Sequence, residues 1–228
     1  KLPIIVDPSH AQVEGISVNG KPLPGFDANI YEYEMEITSK EELNPQISAQ
    51  AEGEVEIRMP EGIAGKAYVS AVGQGDVLTK GYEIDFKLPV SIGKPEGKQE
   101  IRPKSVTASD VPQPENSPEN TLDGNFDTRW SCSDICWIAY DLGSVYALDA
   151  VSIAFMDGDL RTAQFAIELS EDGENYTRVF EGDALQTTDL ETHELFGTNA
   201  RFVRIYCYGY NGNTKEWNSI TECKFFGE

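Results

Sequence analysis

Residues 120–130, from Asn120 to Trp130, read NTLDGNFDTRW. The carboxylate of Asp123, the amide of Asn125 and the hydroxyl of Thr128 are spaced so that one curled loop can turn several oxygens toward a single point, which is what a hard cation such as calcium requires. The same residues also make an ordinary turn, because Gly124 tolerates positive φ and Asp123 can bond its own backbone. By spacing alone, a surface turn ahead of a core tryptophan is the stronger of the two readings, since short acidic motifs recur by chance.

Downstream of the loop the apolar residues alternate. Ile138, Tyr140 and Leu142 share one face of a strand, as do Val151, Ile153 and Phe155, and then Phe165, Ile167 and Leu169; these triplets are predicted core. Strands are expected at roughly 104–109, 137–142, 148–156, 164–170, 178–181, 192–196, 201–208 and 219–226. Eight strands without a helical period predict a jelly-roll sandwich.

Upstream, residues 1–13 form a tail without a period, and EGISVNGKPLPGFD offers a short strand, an Asn19-Gly20 turn and a proline-rich connection. In YEYEMEI, Tyr31, Tyr33, Met35 and Ile37 alternate with Glu32, Glu34 and Glu36, a strand with one wet face. Further strands at about 46–50, 55–59, 67–72 and 81–88 predict an antiparallel sandwich. This half holds no cluster of His, Cys or convergent carboxylates, and its glutamates discourage edge-to-edge pairing, so it reads as a spacer. Residues 89–103, PVSIGKPEGKQEIRP, have the composition of a linker, with the joint near Lys98. The expected organisation is all-β with two β-sandwich domains, 1–92 and 98–228.

The 228 residues carry 39 acidic against 18 basic side chains, a net charge of −21. A field of that sign repels nucleic acid and anionic membrane surfaces. No apolar run approaches a membrane span, and the opening Lys1 has no signal-peptide pattern behind it, so a piece of a longer parent chain is expected. Cys132 and Cys136 lie four apart with no histidine nearby, too few ligands for zinc. They are spaced to close a small disulfide loop, whereas Cys207 and Cys223 sit in apolar strand positions where a thiol acts as a small hydrophobe.

The segments WIAYDLG, VSIAFMDGDLR, FAIELSEDGENY, ARFVRIYCYG and WNSITECKFFG, in that order after the Asp123 loop, resemble the coagulation factor V/VIII type C, or discoidin, family and its bacterial branch, the family 32 carbohydrate-binding modules. The resemblance covers about residues 98–228 and implies a galactose-binding-like jelly roll. Residues 14–90 are more weakly similar to the cadherin-like or immunoglobulin-like repeats of bacterial surface and secreted enzymes.

In the calcium-carrying members of the discoidin family, backbone oxygens, an aspartate, a threonine and a late glutamate close the shell. Here the resemblance puts those roles on Asn120, Asp123, Asn125, Thr128 and Glu222, with the carbonyl of Thr221 added; it raises the metal reading above the plain turn and gives the ion a structural role. Sugars dock on loops at one end of such modules. The expected ligand residues are Asp157, Asp159 and Arg161 in one loop, and Tyr208, Asn211, Trp217 and Asn218 in another. Trp130 and Trp137 flank strands and read as core. No histidine falls in these loops, so the histidine-centred hydroxyl recognition of some relatives does not carry over, and the glycan stays unnamed. The similarity of the Gly158-Asp159-Leu160-Arg161 loop to modules that accompany uronate lyases keeps an acidic sugar in view.

Paired carboxylates such as Asp157 with Asp159, or Glu171 with Glu174, lie on single turns. Neighbours on one turn rarely face each other across a cleft as glycoside hydrolysis requires, so catalysis is not expected. The expected function is a non-catalytic, glycan-binding accessory region, extracellular, on the cell surface or periplasmic. A protein-adhesion module on the same fold is the alternative.

Overall fold

A computed structural model describes residues 12–60, 62, 64–72 and 81–228. The tail before residue 12, with His10, lies outside them. The chain divides into two compact units, 1–87 and 88–228, and both are built of β-strands.

In the first unit β1 (Val13–Val18), β2 (Lys21–Pro22) and β4 (Ile47–Ala51) form one sheet in the order β2-β1-β4. β3 (Glu32–Glu36), β5 (Glu54–Arg58), β6 (Gly65–Val72) and β7 (Tyr82–Lys87) form another in the order β3-β7-β6-β5. Ile16, Val18, Leu23, Ile37, Val69, Ile84 and Phe86 are buried, while Glu32, Glu34 and Glu36 are exposed, as the alternation predicts. One expectation is corrected. β3 runs parallel to β7, with Glu32 opposite Glu83 and Met35 opposite Phe86. A period of two reports which face is wet and carries no information about strand direction. Three strands intervene between β3 and β7, which is the length of connection a parallel pair needs.

The second unit contains β8 (Val90–Ile92), β9 (Glu100–Ile101), β10 (Ser105–Ala108), β11 (Trp130–Ser133), β12 (Cys136–Phe155), β13 (Ala163–Ser170), β14 (Thr177–Asp183), β15 (Glu191–Tyr210) and β16 (Trp217–Gly227). Their order is β11-β16-β12-β15-β13-β14, with β10 on β12, β8 on β15 and β9 on β16. The strands expected at 137–142 and 148–156 are one element, as are those at 192–196 and 201–208. β12 and β15 pair along their whole length and bend together where the register shifts, between Asp141/Tyr146 and Leu148/Ala150. Long strands that turn a corner serve both layers of a sandwich. The rings that meet across it are Tyr140 with Phe225 at 4.8 Å and Phe155 with Phe165 at 5.0 Å. All three predicted triplets are buried, and Trp130 is fully so, while Trp137 is half-buried.

Residues 89–103, read as a linker, supply two strands of this unit: Val90–Ile92 opposite Glu191–His193, and Glu100–Ile101 opposite Phe225 and Phe226. Strands of two or three residues cannot show a period, so composition dominated that reading. The four cysteines are buried free thiols, and no disulfide closes the Cys132–Cys136 loop.

Candidate functional site

The Asp123 loop leaves a short 3-10 turn, Pro118–Leu122, and returns into β11. Its polar groups bond one another, although Asp123 and Asn125 are exposed. Asp123 Oδ1 accepts the Asn125 N–H at 2.8 Å, and the Thr128 hydroxyl donates to Asp123 Oδ2 at 2.7 Å and lies 2.9 Å from the Asn125 carbonyl. The Asn120 side chain ties the loop's ends by donating to the carbonyls of Glu115 and Arg129, both at 2.9 Å. Glu222 comes from β16, past a bulge where Ala154 faces Glu222 but Phe155 already faces Ile220, leaving Thr221 out of register. A bulge of this kind re-aims side chains, and here the Glu222 carboxylate meets the Gly124 N–H at 2.6 Å. Glu222 is fully buried, and its Oε2 has no hydrogen bond.

A buried carboxylate oxygen needs a positive partner, here the Lys224 ammonium 3.1 Å from Glu222 Oε2, and the loop's acceptors are oxygens, the kind a hard-cation site uses. Among the described residues no three His, Cys, Asp or Glu side chains converge, so such a site has to draw on carbonyls and the Thr128 hydroxyl as well.

The second cluster gathers three loops. Thr162 N–H donates to Asn211 Oδ1 at 3.0 Å, and Asn211 N–H donates to the Thr162 carbonyl at 2.9 Å, which joins loop 156–162 to loop 208–217. Asn218 accepts the Gly209 N–H at 2.9 Å and donates to the Asp134 carbonyl at 2.7 Å, which adds the loop between β11 and β12. Asn218 is therefore buried and spends its amide on backbone; its geometry is that of a tie between loops, not of a reader of ligand hydroxyls.

Arg161 lies over the buried ring of Tyr210, Cζ 4.1 Å from the centroid. Burial pushes the Tyr210 phenol up to about 12, and the neighbouring Arg161 charge pulls the other way. The guanidinium is only loosely held: Nη2 is 3.5 Å from the Met156 carbonyl and 3.8 Å from Asp157, and Nε is buried without a partner. Asp157 and Asp159 are exposed, as are Asn211 and Trp217.

Tyr208, the expected aromatic, turns away to stack at 5.3 Å on Tyr206. Tyr210 replaces it beneath Arg161 because Gly209, at φ +106°, breaks the strand's alternation between them. The loop pair Glu171 and Glu174 sits on a turn capped by Asp172, which accepts the N–H groups of Glu174 and Asn175.

Beside Asp157, a cleft of about 440 Å³ is walled by Phe126, Asp127, Arg129, Met156 and Asp189. Met156 opens the expected ligand loop, but none of these five is an expected ligand residue, because they come from three distant segments and only the tertiary fold brings them together.

A family model described as F5/8 type C domain matches residues 105–223. Among solved structures, the CBM32 of AlyQ in complex with 4,5-unsaturated mannuronic acid is 41% identical, with a TM-score of 0.52, the match covering 56% of this chain and 98% of that one. A truncated AlyQ containing CBM32 and alginate lyase domains gives the same identity and TM-score over 57% of this chain, which spans 34% of that longer protein. A pectin-binding carbohydrate-binding module is 24% identical over 55% of this chain and 91% of its own, with a TM-score of 0.51, a likeness of fold alone. No curated protein matches the chain. Through residues 105–223 the chain belongs to the F5/8 type C domain family.

Proposed function

We propose that the second unit is a non-catalytic carbohydrate-binding module that takes the uronate-bearing end of a polysaccharide chain between loops 156–162 and 208–217. The observation that carries this is Arg161. Its guanidinium is held on Tyr210 with its side chain only 26% exposed, yet its donors lack strong partners. A planar fork of unsatisfied donors is suited to a carboxylate taken bidentately. The exposed ring of Trp217 offers an apolar surface to a sugar face. The bound 4,5-unsaturated mannuronic acid of the AlyQ module supports the same ligand class, and the lyase domain of AlyQ supports an accessory role in a longer protein, whose location we take to be extracellular, on the cell surface or periplasmic.

Calcium held by Asp123, Thr128 and Glu222, with the carbonyls of Asn120, Asn125 and Thr221, is proposed to act structurally by cross-linking the loop to β16. The first unit is proposed as a spacer, on its solvated glutamates and the absence of a metal-holding group of His, Cys, Asp or Glu among its described residues.

Titration of an unsaturated mannuronate oligomer, followed by calorimetry, tests the reading. Binding is expected, with a loss of at least tenfold (about 1.4 kcal/mol) for Arg161→Ala and for Trp217→Ala. Full affinity in both variants would place the ligand elsewhere. Binding to proteins and to no glycan on an array would favour adhesion.

A further inference from the structure

Lys224 follows Glu222 by two residues on β16, so both side chains leave the same face of the strand. Its ammonium stands 3.1 Å from Glu222 Oε2, the oxygen that makes no directed hydrogen bond, and the contact is one of charge. Without it the Glu222 carboxylate would be buried and uncompensated. The ammonium also has a second place to go. Glu100 Oε1, on β9, lies 3.4 Å from the same nitrogen, and a hollow of about 210 Å³ lined by Glu100, Arg102, Asp123, Gly124 and Lys224 surrounds it. The Lys224 side chain is 15% exposed and that of Glu100 46%, so the contact with Glu222 lies out of water and the contact with Glu100 faces it.

We propose that Lys224 is a built-in counter-cation that competes with the metal for Glu222, sets the metal affinity, and moves to Glu100 when a divalent cation enters. The inference rests on the reading of Asp123, Thr128 and Glu222 as a cation site. An ammonium and a metal ion cannot face the same carboxylate oxygen at contact distance without strong repulsion in a poorly solvated setting. The metal-competent arrangement therefore has Lys224 displaced. The apparent dissociation constant then exceeds the intrinsic one in proportion to how rarely the chain adopts that arrangement.

Calcium titration by calorimetry, with thermal melts of the whole chain in EDTA and in excess calcium, tests this on the wild type and on Lys224→Met, Glu100→Gln and Asp123→Ala. Lys224→Met is expected to melt below the wild type in EDTA, to recover in calcium, and to bind calcium at least tenfold more tightly. Folding of this variant only in calcium would be the extreme form of the same result. Glu100→Gln, which removes the ammonium's alternative seat, is expected to bind severalfold more weakly. Calcium affinity that is unchanged within twofold, or weaker, in Lys224→Met overturns the role of Lys224, as does unchanged affinity in Glu100→Gln. If Asp123→Ala still abolishes calcium binding in that case, the metal site stands and only the competition falls. Binding by Lys224→Met but not by the wild type supports the competition in its strongest form, and binding by neither overturns both readings.

Discussion

Asn218 and Asp141 show what single side chains do here. The Asn218 carboxamide is buried and bonded on both sides, to Gly209 and Asp134, so Asn218→Ala strands two backbone groups in the loop cluster. A loss of roughly 2 kcal/mol in urea unfolding is expected, from the cost of leaving buried polar groups unpaired. Asp141 receives a two-pronged contact from Arg201, both bonds at 2.8 Å, and the Gly143 N–H at 2.7 Å. Arg201 foremost holds its carboxyl down at about 2, below the ordinary 3.8. Because the folded value is depressed, the stabilisation is fully present above about pH 4 and is lost as pH falls toward 2. The Arg201 side chain is 37% exposed, so solvent screening limits the contribution to about 1 kcal/mol or less. Urea melts of wild type and Asp141→Asn should differ at pH 7 and converge near pH 2; a difference that persists at pH 2 would show that the charge is not the cause.

At the scale of elements, the ligand loops depend on close approaches of backbone. A Cβ added at Gly209 would sit 2.1 Å from the Asn213 carbonyl, at a φ of +106° that other residues rarely adopt. Gly209→Ala should therefore cost roughly 2–3 kcal/mol in unfolding free energy. It should also weaken glycan binding, because the displaced turn carries Tyr210 out from under Arg161. Retention of both stability and affinity would mean that the turn relaxes without moving the ring. The bulge at Thr221 acts in a comparable way at the other cluster, since a regular strand would keep Thr221 in register opposite β12 and would not aim Glu222 at the Asp123 loop.

At the scale of the whole molecule, the boundary matters. β8 gives β15 its edge partner: the Gly93 N–H donates to the Leu190 carbonyl at 2.7 Å, and the Glu194 N–H donates to the Pro89 carbonyl at 3.1 Å. A fragment of residues 88–228 should melt with the second transition of the full chain and bind glycan equally well. A fragment of residues 98–228 exposes the edge at Glu191–His193, and a loss of roughly 2–4 kcal/mol is expected from the unpaired backbone groups. Thermal melts of the two fragments decide this. Equal melting points would show that β8 is dispensable, and a tenfold loss of affinity in 88–228 would show that the first unit contributes to binding.

The sequence by itself determined the strand character of both units, the buried triplets and the glutamate-lined face. Each of these is set by a period of two in local chemistry, which neighbours along the chain impose. The local bonding among Asp123, Asn125 and Thr128 was legible for the same reason, since the three fall within six consecutive residues. Only the tertiary structure decided the rest. The parallel run of β3 and β7, the strands within 89–103, the exchange of Tyr208 for Tyr210 beneath Arg161, and the Lys224 ammonium against Glu222 all depend on which segments meet. Pairing direction, a glycine's positive φ and a bulge between distant strands are fixed by packing, and a one-dimensional pattern does not encode them.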